Sequence, residues 1–120
     1  MKLDSIESAI KDYERITKEP VECDEKSAIK VLPTNEFMIW RLGVYENTPY
    51  FYIDQTYAKN FSNFVPFIKE VCKAAGIKTI VTATQRPKAH YRKWKMELLK
   101  EYDFEGRHYF LLKGDIKNLK

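Results

Sequence analysis

FYIDQTYAKNFSNFVPFIKEVCKAAGIKTIVTATQRPKAHYRKWKMELLKEYDFEGRHYFLL, residues 51–112, is the stretch that decides the fold. FYIDQTYA (51–58) is aromatic and β-branched and reads as a strand. NFVPFIKEVCKAAG (63–76) places Phe67, Ile68, Val71, Cys72 and Ala75 on one helical face. It tolerates Pro66 because that residue falls in the first turn, and it stops at Gly76, the usual left-handed terminator. IKTIVTATQ (77–85) returns to strand. AHYRKWKMELLKEY (89–102) spaces Tyr91, Trp94, Leu98 and Tyr102 as the inner face of a second helix, and RHYFLLK (107–113) is a last strand. The order strand, helix, strand, helix, strand predicts an α+β domain with a mixed sheet.

Upstream, Leu3, Ile6, Ile10, Tyr13 and Ile16 recur at helical spacing, with Asp4 and Glu7 as a capping box and Pro20 beyond the end. They predict an amphipathic helix over about 4–18. VECDEKS (21–27) is a polar loop, and SAIKVL (27–32) a short strand ending at Pro33. FMIWRLGVY (37–45) and YFYIDQTYA (50–58) form a hairpin with Glu46, Asn47, Thr48 and Pro49 in its turn. Strict alternation would put Tyr50, Tyr52 and Asp54 on one face and Phe51, Ile53 and Gln55 on the other.

The 120 residues fit one domain, 1–120, with room for a single modest core. Hydrophobic content of 44% and aromatic content of 14% argue for a folded chain built around rings and against disorder. A balance of 21 basic against 17 acidic residues, +4, suits an anionic ligand and is low for a dedicated nucleic-acid binder. Cys23 and Cys72 read as two reduced thiols. With no secretory h-region and no apolar run of spanning length, the expectation is a cytoplasmic protein with no membrane partner. His90 and His108 lack ligand spacing for a metal, and neither GxSxG nor a Walker A loop occurs.

From about residue 37 to 114 this order resembles the GCN5-related N-acetyltransferase (GNAT) superfamily. The clearest local piece is LLKEYDFEGRHYFLLKGD (98–115), similar to the family's ending, where a helix gives way to "GF" and then a strand. Phe104 takes the aromatic place and Asp103 stands where glycine is usual. The resemblance implies a GNAT-like, mainly antiparallel mixed sheet of about five strands with helices on both faces. The N-terminal helix would replace the family's usual start.

It also implies transfer of an acyl (acetyl) group from acetyl-CoA, or another acyl-CoA, to an amine. The cofactor would lie in a splay between FYIDQTYA and IKTIVTATQ, held by Gln55 and Thr56 on the strand and by Lys59, Asn60, Ser62 and Asn63 in the next loop. Asp54 would be the general base, with Glu46 a weaker alternative. Two departures stand out. The loop YAKNFSNFVPF lacks the glycines of the family's Q/R-x-x-G-x-G/A motif, and Phe61, Phe64 and Pro66 crowd it. Alignment on Phe104 puts Leu99 in the slot of the family's acidic tyrosine, with Tyr91 and Tyr102 out of register, so no catalytic acid is assigned.

A second reading keeps the fold as a non-catalytic binding or structural module, as in small acetyltransferase-like proteins encoded by phages. Its partner would be a protein, or nucleic acid through the basic 86–100 face around Tyr91 and Trp94. On a helix that pattern is also plain amphipathicity. The gap near Asp54 and Thr82 separates the two readings: if Phe61, Phe64 or Tyr57 fills it, no cofactor fits.

Overall fold

The computed structural model describes residues 5–119. Helix α1 (Ile6–Thr17) starts at Ser5, whose hydroxyl oxygen accepts the Ser8 amide at 3.1 Å. Ser5 is thus the cap; Leu3 and Asp4 of the expected start lie outside the described residues. The helix ends at Lys18 in the left-handed conformation, two residues before Pro20.

Strands β1 (Ala28–Val31), β2 (Phe37–Tyr45) and β3 (Thr48–Tyr57) form an antiparallel meander. The β2–β3 turn is tighter than expected: Glu46 and Asn47 alone make it, both at positive φ (49° and 65°), while Thr48 and Pro49 pair as strand. Two left-handed central residues give the turn twist that matches the flanking strands. A 3-10 turn (Phe61–Phe64) leads into α2 (Val65–Ala75), which Gly76 closes at φ 69°, and β4 (Thr79–Thr84) then runs parallel to β3.

The last part of the chain departs from the reading above. α3 spans only Lys88–Trp94; Lys95 turns left-handed (φ 52°) and the Met96 amide bonds back to the His90 carbonyl at 3.1 Å. Glu97–Phe104 is then a strand, β5, paired antiparallel with β6 (Arg107–Asp115). The turn between them is Glu105–Gly106, at φ 50° and 77°. The segment likened to the family's helix-to-strand ending is therefore a hairpin. Leu99 sits half-exposed on its outer strand, so the helix alignment that gave it the tyrosine slot does not hold. The basic 86–100 face is likewise not one helix face, because Lys100 belongs to β5.

Among the described residues the sheet has six strands rather than about five, in the order β1-β2-β3-β4-β6-β5. α1 covers one face, where Ala9 and Tyr13 meet Phe37 and Ile39. α2 and α3 cover the other, where Ile68, Cys72 and Trp94 meet Met38, Phe51, Ile80 and Leu112. Burial pushes the Cys72 thiol up to about 11, and Cys23 lies exposed; both cysteines are free.

The outer hairpin carries a pH-dependent clamp. His108 Nδ1 lies 2.7 Å from Asp103 and Nε2 2.9 Å from Glu101, across the β5–β6 ladder. Hydrogen bonds, first to Glu101 and then to Asp103, raise its pKa above the usual histidine value. A raised folded pKa favours the charged ring. Its stabilisation is complete below the unfolded value of about 6.5 and is lost as pH climbs through the folded value. His108→Gln should therefore lower Tm at pH 5.5, and the gap from the parent should shrink steadily in melts taken towards pH 8.5. A gap that stays constant would show that the imidazolium is not what ties the hairpin.

Candidate functional site

The parallel pairing of β3 and β4 runs only from Tyr50↔Thr79 to Ile53↔Thr82. Beyond that point β3 stays with β2 and β4 with β6, and the two strands part. The cause lies in β3. Ile39 faces Gln55 and Trp40 faces Ile53, so the register skips Asp54, which bulges. A bulge adds one residue, sharpens the local twist and exchanges the faces beyond it. Gln55 accordingly joins the α1 face, contrary to strict alternation, while Ile53 remains in the α2 core. At the fork the Thr82 hydroxyl donates to the Ile53 carbonyl at 3.0 Å, closing the last rung with a side chain.

The opening is a cleft of about 380 Å³ lined by both parted strands, the end of α1 and the start of α3. Backbone groups on the inner edges of the parted strands face it instead of a neighbouring strand. It is not plugged. Phe64 is buried in the α2 core, Phe61 packs on Trp94 (centroids 4.7 Å), and Tyr57 stacks on Phe37 while its hydroxyl donates to Asp12. Phe61 and Tyr57 are walls of the cleft.

The expected site residues divide. Asp54 and Thr56 line the cleft. Asp54 is half-buried, and burial pushes its carboxyl above the ordinary range, with Arg41 pulling it back in part. Glu46 lies in the distant β2–β3 turn. Gln55 is spent on structure: its amide nitrogen donates to Glu19 (3.0 Å) and to the Pro20 carbonyl (2.9 Å), and its oxygen accepts the Glu22 amide (3.1 Å).

The glycine-free loop is also committed internally. Asn60, not Ser62, caps it, accepting the Ser62 amide at 3.0 Å, and the Ser62 hydroxyl oxygen accepts from Lys93 at 3.1 Å. The Asn63 amide bonds to the Asn60 carbonyl and the Val65 amide to the Ser62 carbonyl. The Lys59 amide donates to the Glu36 carboxylate at 2.6 Å.

Sequence reasoning missed Glu19. It is 8% exposed and lines the cleft, and its two oxygens take four donors among the described residues. Tyr13 and Gln55 donate to one oxygen, Tyr109 and Gln85 to the other. A carboxylate offers about four lone-pair sites, so this one is saturated. Burial, and then the bond to Glu19, push the Tyr109 hydroxyl up to about 12. The only available signal was an acidic residue beside Pro20 just past a helix, which ordinarily means a solvated end.

A second hollow of about 400 Å³ adjoins the cleft and shares Glu19, Asp54, Gln55, Ala83 and Tyr109 with it. Glu19, Glu22, Asp54 and Glu105 line it against one guanidinium, Arg107. Arg107 is engaged at 2.8 Å with the Tyr109 hydroxyl, at 2.7 Å with the Lys18 carbonyl and at 3.3 Å with Glu105. The stacked rings of Tyr102 and Tyr109 (5.5 Å) form an aromatic wall. The bulged Asp54 is one of the five residues that line both hollows.

Neither a protein-family model nor a curated protein matches this chain. Among solved structures it is similar to an aminoglycoside 6'-acetyltransferase type Ii, with a TM-score of 0.59 over 92% of this chain and 90% of that chain, at 12% identity. That likeness shows an acetyltransferase-like, GNAT-like fold, and at that identity it shows the fold alone.

Proposed function

We propose that this chain is an N-acyltransferase that takes an acyl thioester of the CoA type in the cleft between β3 and β4 and passes the acyl group to a cationic amine entering from the acidic hollow. The observation that carries this reading is that the two spaces adjoin and that Asp54 lines both. A donor bound in one would present its carbonyl to an acceptor bound in the other, and holding both together contributes a large share of such catalysis.

The pantetheine arm of such a donor suits the cleft, whose parted strands offer an extended ligand backbone groups in place of a missing strand. The thioester supplies the activated carbonyl. The chain supplies the rest. Glu22, Glu105 and the tyrosine wall draw in and orient an alkylammonium. Asp54, with its carboxyl raised by burial, accepts a proton from the amine as its nitrogen attacks the thioester carbonyl; the C–N bond forms, the C–S bond breaks, and the departing pantetheine thiolate takes a proton from water. Inner-edge amides of the parted strands would stabilise negative charge on the acyl oxygen.

Donor binding should be visible without turnover. Acetyl-CoA at millimolar concentration is expected to raise Tm, because a ligand at about a hundred times its Kd adds about 2.7 kcal/mol to stability. No shift with acetyl-CoA or with S-acetyl-pantetheine would exclude a donor in the cleft and leave the fold as a binding module.

A further inference from the structure

Glu36 is 5% exposed and belongs to the β1–β2 turn, yet it spends its carboxylate on the β3–α2 loop. The register explains how. Phe37 pairs with Tyr57, so the residue before Phe37 lies beside the residues after Tyr57. One Glu36 oxygen accepts the Lys59 amide at 2.6 Å; the other accepts from the Thr34 hydroxyl (2.7 Å) and the Asn63 side chain (3.4 Å). A loop before a helix N-terminus, at the carboxyl end of parallel strands, is where a diphosphate would be expected. Here a carboxylate sits on that loop, the Ser62, Asn63 and Val65 amides are bonded within it, and Pro66 has no N–H.

We infer that Glu36 is a resident anion which occupies the phosphate position of the β3–α2 loop, so that an acyl donor is recognised by its thioester and pantetheine arm and not by its diphosphate. An incoming diphosphate would meet a fixed like charge and few open amides. The donor class is thereby widened to acyl-pantetheine thioesters irrespective of the nucleotide attached. This rests on the acyl-donor reading of the cleft, while the state of the loop is testable apart from it.

The experiment is calorimetric titration of three probes, acetyl-CoA, S-acetyl-pantetheine and inorganic pyrophosphate, into the parent and into Glu36→Gln, with circular dichroism confirming the variant's fold. In the parent, the two thioesters should bind within about fivefold of each other and pyrophosphate should not bind at millimolar concentration, as expected where phosphates add nothing. In Glu36→Gln, pyrophosphate binding should appear and acetyl-CoA should tighten by about tenfold, with S-acetyl-pantetheine unchanged.

Pyrophosphate binding to the parent, or acetyl-CoA bound more than about fiftyfold tighter than S-acetyl-pantetheine, would overturn the inference. If neither thioester binds, the acyltransferase reading fails. The inference is then judged on pyrophosphate alone: gained by the variant it stands, absent from both proteins it falls. Should the variant not fold, the comparison of the three probes on the parent decides.

Discussion

Replacing Glu19 by alanine is expected to lower the unfolding free energy by about 3–5 kcal/mol, because four neutral donors lose one shared acceptor at a largely buried site. Tyr13, Tyr109, Gln55 and Gln85 would lose their shared acceptor at once. A buried donor left without a partner costs about 1–3 kcal/mol, and the open cleft lets water recover part of that sum. For a chain of this size the loss corresponds to a fall in Tm of roughly 10–20 °C. Tyr109→Phe, which leaves Glu19 with three donors but also takes the acceptor from Arg107 Nε, should cost about 1.5–3 kcal/mol. In the double variant the losses should not add, because both changes touch one network. A Glu19→Ala protein melting within a degree or two of the parent would show that the four contacts are not a structural knot.

Asp54→Asn should reduce kcat for acyl transfer by about 10²–10⁴-fold, the usual contribution of a general base, while leaving the Tm shift with donor in place. Its stability should move the other way. Burial raises the Asp54 carboxyl pKa above the ordinary value, so the folded state favours the protonated form. Stability linked to that proton is present at low pH and is lost as pH rises through the folded pKa. At neutral pH the ionised side chain is therefore a burden on the fold. The asparagine variant should melt at the same temperature or higher at pH 7, and the advantage should vanish in melts at pH 3. The rate of the parent should in turn fall on acidification through the Asp54 pKa, with the asparagine variant showing no such limb. Full activity in Asp54→Asn would remove the base from this residue.

How far these features can be read from residue order depends on what makes them. The segment 51–85 was legible because its signals are local: period two in FYIDQTYA, period 3.6 in VPFIKEVCKAA, a glycine stop, then period two again. Segment 97–104 was not, since Trp94, Leu98 and Tyr102 satisfy helical spacing, and the strand exists only because β6 supplies its hydrogen bonds. The dipeptide Glu105–Gly106 between two apolar runs was the cue for a hairpin.

The bulge at Asp54 is a property of two strands in register and has no mark in either alone. The family resemblance set Asp54 beside the cleft, but the reason it matters, that it lines both hollows, is tertiary. Glu19 and Glu36 were invisible for the same cause. Each is an acid in a turn, given its partners by residues 36–90 positions away in one case and 23–27 in the other, as Gln55, Gln85 and Tyr109 on the first and Lys59 and Asn63 on the second show.

The short parallel pairing has a mechanical meaning of its own. Among the described residues, four pairs from Tyr50↔Thr79 to Ile53↔Thr82 join the ladder of β1, β2 and β3 to the ladder of β4, β6 and β5. The sheet is thus two woven panels joined by a brief seam, stitched at its open end by Thr82. An extended guest lying between the parted strands would lengthen the seam by taking up the edges of both panels. Occupancy and the cohesion of the two halves then become one quantity, and a filled cleft is also a better-sewn molecule.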